Sequence, residues 1–88
     1  MATDLEAQVF KQQVVTITVN EHPVEMRKGK ASGMEIKQAA IAQGVQIQAD
    51  FVLSVVLGGH RTRVVGDEEP VELHQHQRFV AVAPDDNS

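Results

Sequence analysis

Residues 32–44, SGMEIKQAAIAQG, carry both a helix start and a helix stop. The Ser32 hydroxyl is placed to accept from the Glu35 amide, and the Glu35 carboxylate to reach back to the Ser32 amide. That reciprocal pair satisfies two of the donors a helix leaves orphaned at its beginning. Good helix formers fill the interior, and Gly44 follows where a residue free to take positive φ ends the helix. Nearly everything after residue 13 reads as strand or turn, so this helix must cover a sheet. Its buried stripe is not fixed by periodicity: Ile36 and Ala40 share one side, Met34 and Ile41 another.

Residues 15–19 alternate strictly, with Val15, Ile17 and Val19 on one face, as a half-buried strand does. A turn at residues 20–23 leads to Val24-Glu25-Met26, which resumes the alternation until residues 27–30 break it, so the two runs form a hairpin. Beyond the helix, residues 51–57 are the most apolar strand and are expected to be central. Gly58-Gly59-His60 turns the chain into a weaker edge strand at residues 61–65. Residues 66–70 form an acidic loop, and Val71 and Leu73 follow as apolar anchors at strand spacing. The last strand is 78–83; Phe79 with Ala81 and Val80 with Val82 are alternative inward pairs. Residues 1–13 show no alternation. They read as a flexible leader, with Leu5, Val9 and Phe10 as the anchors of a short helix in the alternative reading. Residues 85–88 read as an exposed polar tail.

The chain of 88 residues is long enough for a single modest core. Cysteine is absent, which excludes disulfides, thiolate metal sites and thiol catalysis. The net charge of −4 and an aromatic set of three Phe argue against a phosphate backbone or stacked bases as ligand. No apolar run approaches the ~20 residues that cross a bilayer, and the acidic opening is unlike a signal peptide. A soluble cytoplasmic protein, binding neither nucleic acid nor membrane, is expected.

A hairpin, a helix and three further strands fit a mixed sheet of four to five strands with one helix packed across it, an α+β arrangement. The helix as a crossover would let the third long strand lie parallel to the first. This is the β-grasp arrangement, and the residues that follow point to one family within it. Ile17, Thr18, Val19 and Asn20 with Pro23, Val24 and Glu25 resemble the opening of prokaryotic ubiquitin-like proteins of the multi-ubiquitin type. So do Lys28-Gly29-Lys30 with Ser32-Gly33 and Glu35-Ile36-Lys37, then Ala49-Asp50-Phe51 with Leu53. Asp67-Glu68, residues 70–73 and Arg78-Phe79 complete a resemblance that spans residues 14–84.

The resemblance implies a ubiquitin-like domain and a role as protein modifier in a bacterial conjugation pathway. Its partners would be an activating enzyme, a conjugating enzyme, a processing or deconjugating protease and target proteins. ATP would belong to the activating enzyme, so no cofactor and no catalysis are expected of this chain. Two departures stand out. Gln75-His76 occupies the place of a common Pro-Gly turn, and the tail lacks the two glycines of ubiquitin and of sulfur carriers. Similar families are trimmed to a non-glycine end, often asparagine, which would remove Ser88 and expose the Asn87 carboxylate. The alternatives are a β-grasp adaptor that is never conjugated and a sulfur carrier, the latter weakened by the missing glycines.

Other residues are weighed on their chemistry. His74 and His76 would share a face in a strand, with His60 as a third ligand, but zinc usually takes four ligands and surface histidines are the plainer reading. Asp67, Glu68 and Glu69 lack the partners of an acid–base or phosphate site and read as a solvated loop. Gly58-Gly59 reads as a hairpin turn. With Phe51, Leu53 and Val55 inward, Val52, Ser54 and Val56 face out and form a candidate partner-binding patch; a strand buried on both faces is the alternative. Lys11, Lys28, Lys30 and Lys37 are candidate acceptors of a further copy, or simply surface charge.

Overall fold

The computed structural model describes residues 14–84, among which are seven strands and one helix. Strands β1 (Val14–Val19) and β2 (His22–Arg27) form the expected hairpin, paired from Val14 with Arg27 to Val19 with His22. The two-residue connection Asn20-Glu21 has positive φ at both positions, 53° and 70°. Such a turn carries a twist that matches the right-handed twist of the strands it joins. His22 and Pro23 therefore belong to β2 rather than to the turn. Pro23 is tolerated because β2 is an edge strand, where a missing N–H leaves no ladder bond unmade.

A short strand follows, β3 (Lys30–Ser32), which is not legible in the sequence; it pairs with β6 (Pro70–Glu72) in a separate two-stranded ribbon. Ser32 then caps helix α1 (Gly33–Ala42), with both halves of the expected capping box formed. At the other end Gly44 has φ 99°. Its amide donates to Ile41 and the Val45 amide to Ala40, which closes the helix in a Schellman motif. Gly33, Ile36, Lys37 and Ala40 face the core, and Ile41 is exposed. The Ile36–Ala40 side is thus the buried one.

The main sheet has the order β2-β1-β7-β4-β5, with β4 at Val52–Gly58, β5 at Arg61–Val65 and β7 at Arg78–Val82. The chain has the mixed five-stranded sheet and covering helix of a ubiquitin-like β-grasp fold. Two expectations about it need correction. The strand parallel to β1 is β7, whereas β4 is antiparallel to β7 and does not touch β1 in the sheet. The middle position also belongs to β7, with β4 one place removed. The reason lies in the side chains. β7 buries Phe79 and Ala81 and exposes Val80 and Val82, so its large aromatic sits under the helix between the inward residues of β1 and β4. Ile17, Val19, Val24, Ile36, Leu53, Leu73 and Phe79 form the heart of a continuous core. Val71 and Leu73 are buried, as their spacing suggests.

Candidate interaction surface

The face of the sheet turned away from α1 is built by strand alternation. In β4, Leu53 and Val55 are buried, Val52 is exposed, and Ser54 and Val56 are half-buried on the opposite side. Cross-strand register sets their neighbours. Val52 lies opposite Val82, Ser54 lies between Val80 of β7 and Val64 of β5, and Val56 lies opposite Thr62. Directly opposed and diagonal side chains on one face touch, so these residues form one surface. Val52, Val64, Val80 and Val82 retain 38, 61, 38 and 53 % of their exposure, so the band is apolar and open to solvent.

Sequence alternation supplies the β4 part of this surface, Val52, Ser54 and Val56, and the structure places all three on it. It misses Val64, Val80 and Val82. Choosing Phe79 and Ala81 as the inward pair would have found the last two. Next to the band is a shallow groove of about 290 Å³, lined by Thr18, Asn20, Glu21, Val56, Arg78, Phe79 and Val80. Arg78 and Glu21 give its rim one charge of each sign.

The remaining polar candidates have structural roles. His74 and His76 sit on the turn before β7, where the amide of His76 donates to Thr16 and that of His74 to the Gln77 side chain. His76 has φ 67°, so the strand alternation that would align the two rings does not apply. Among the described residues no three His, Asp or Glu side chains converge as a metal site. The acidic loop is not simply solvated. Asp67 pairs with Lys37, and Glu69 pairs with Arg63 while also accepting from the Gly66 amide. These two contacts, the guanidinium first, hold the Glu69 carboxyl below the ordinary carboxylate range. Lys37 is 2 % exposed and donates to the Ala49 and Phe51 carbonyls as well as to Asp67, so it is not a surface lysine.

Asn87 and Ser88 lie outside the described residues. No helix among the described residues is long and apolar enough to cross a membrane. The geometry therefore offers a surface, a shallow groove and a last strand that delivers the chain to the C-terminal segment. The family model described as Multiubiquitin matches residues 15–85. The chain belongs to the multiubiquitin family. Comparison with curated proteins and with solved structures gave no match. The match covers every described strand and the helix, so the outer face and the Lys37 contacts lie inside the multiubiquitin domain.

Proposed function

We propose that this chain is a ubiquitin-like protein modifier of a bacterial conjugation pathway. A partner protease removes Ser88, an ATP-dependent activating enzyme takes up the Asn87 carboxylate, and a conjugating enzyme passes it to a nucleophile on a target. The chain itself catalyses nothing; the globular body is the handle and the C-terminal segment the reacting part. Membership of the multiubiquitin family carries this reading. The apolar band of Val52, Val64, Val80 and Val82 supports the handle. Exposed apolar residues grouped on one face are what protein partners use, and Ser54, Val56 and the groove beside Arg78 extend the contact.

The test is co-expression with the activating enzyme, conjugating enzyme and protease of the same pathway, read by intact mass. The expected result is loss of Ser88 and ATP-dependent adducts on other proteins. An unchanged mass with no adduct overturns the proposal. The apolar band also favours a second reading, a cytoplasmic adaptor that binds through this face without a covalent step. A C-terminal fusion separates the two: a modifier loses every adduct, whereas an adaptor binds as before. Val80→Asp, on the exposed side of β7, should weaken partner binding in either case while leaving the fold intact.

A further inference from the structure

The parallel ladder between β1 and β7 is short. Thr18 pairs with Arg78 and Val19 with Phe79, and the Asn20 amide donates to the Phe79 carbonyl at 3.0 Å. There the chain turns away into β2, while β7 continues to Val82. The strand that should flank Ala81 on that side is missing, and the Asn20 side chain takes its place. Its Nδ2 donates to the Ala81 carbonyl at 3.0 Å, and its Oδ1 accepts from the Ala81 amide at 2.8 Å. A primary amide presents one donor and one acceptor side by side, which is what a neighbouring strand residue would present. Asparagine also suits the φ of 53°, since it is among the few side chains that visit the left-handed region readily. On its other side β7 pairs with β4 as far as Val52 with Val82. Ala81 thus spends both of its backbone groups on Asn20, while its neighbours Val80 and Val82 lie opposite Ser54 and Val52 of β4.

We infer that Asn20 is a positioning residue that fixes where the chain leaves the body. With the clamp closed, the segment available to an outside enzyme begins after Val82. With it open, the release point retreats toward Phe79, and the end of β7 depends on β4 alone. The use of this device rests on the modifier reading, in which a protease and an activating enzyme must find the segment at a reproducible place. The clamp itself does not.

The experiment compares the full chain with Asn20→Gly, which tolerates the same φ and so keeps the hairpin turn, and with Asn20→Ala. Amide hydrogen exchange of Ala81 is expected to accelerate at least tenfold in both variants, with the α1 amides unchanged in Asn20→Gly. Limited digestion with a protease of broad specificity should move its innermost C-terminal cut from beyond Val82 to between Phe79 and Val82. Unaltered Ala81 exchange, or acceleration in Asn20→Gly matched by the α1 amides, overturns the inference. So does an unmoved cut. Neither readout involves adduct formation. Failure here leaves the modifier proposal standing, and absence of adducts leaves the clamp standing.

Discussion

The Nζ of Lys37 lies 2.7 Å from Oδ1 of Asp67, across a sequence separation of 30 residues. The same ammonium donates to the Ala49 carbonyl at 2.6 Å and the Phe51 carbonyl at 2.8 Å, so its three N–H bonds are all engaged. One helical side chain thereby ties α1 to the entry of β4 and to the loop before β6. Burying a charge is tolerable only with such complete pairing. Lys37→Met keeps much of the bulk but orphans two carbonyls, and should lower stability by about 2–4 kcal/mol. Asp67→Asn should cost less, about 1 kcal/mol, because Asp67 is 54 % exposed and the amide oxygen still accepts. Urea unfolding of the two variants checks both the size and the order. In the folded chain an amine-acylating reagent should label Lys28 and Lys30 and spare Lys37.

Gly33 opens α1 at a point where the helix crosses the loop after β5. A Cβ there would fall inside contact distance of the Gly66 carbonyl oxygen and press on Val65. The Met34 amide also donates to the Asp67 carbonyl at 3.0 Å, which fixes the two backbones together. Alanine is the better helix former by about 1 kcal/mol, yet here the clash with backbone dominates. Gly33→Ala should destabilise by roughly 2 kcal/mol or more, seen as a lowered urea midpoint with an unchanged slope.

These two residues show where the sequence could be read and where it could not. The capping box, the Gly44 stop and the alternation of β1 and β4 are local signals, each expressed within a few residues, and each appears where expected. Lys37 looks like a surface charge in the sequence because helical spacing leaves its side ambiguous, and its partners sit 12 to 30 residues away. Strand β3 escapes notice because three residues flanked by Gly29 and Gly33 carry no period, and β6 supplies their pairing. The order of the sheet is misjudged for a related reason. Alternation says which residues share a face but not which strand lies beside which, and Phe79 decides that. The outer face is half legible: its β4 residues follow from alternation, but Val64, Val80 and Val82 need the register.

Glu69 offers a test by pH. Its carboxyl is held below its ordinary 4.5, first by the Arg63 guanidinium and then by the Gly66 amide. A carboxyl lowered on folding stabilises the fold fully above its unfolded value, and that contribution is lost as pH falls through the lowered one. Glu69→Gln removes the charge and keeps a single acceptor oxygen, so one of the two donors, Arg63 on Oε2 or Gly66 on Oε1, meets an NH2 group instead. The variant should be the less stable at pH 7, and the gap should close as pH drops from about 5 through and below the ordinary value. Both groups are exposed, so adding salt to about 1 M should shrink the gap at neutral pH. Thermal midpoints across that pH range, at low and high salt, measure it.

His76 occupies the turn before β7 with φ 67°. The turn survives because its backbone is otherwise well used. The His76 amide donates to the Thr16 carbonyl at 2.8 Å, the Gln75 side chain accepts from the Thr16 amide at 2.9 Å, and the Thr18 amide donates to the Gln77 carbonyl. These bonds carry β1 alongside the turn before the ladder with β7 begins. They hold a histidine in a region that disfavours a side chain by about 1–2 kcal/mol. Glycine adopts the same φ freely but loses more freedom on folding, by roughly 0.5–1 kcal/mol. The strain relieved exceeds the entropy lost, so His76→Gly should raise stability by about 0.5–1 kcal/mol. Thermal midpoints of the two chains measure it. A lower midpoint in the His76→Gly variant would mean that the imidazole, and not the backbone of the turn, is what the fold uses there.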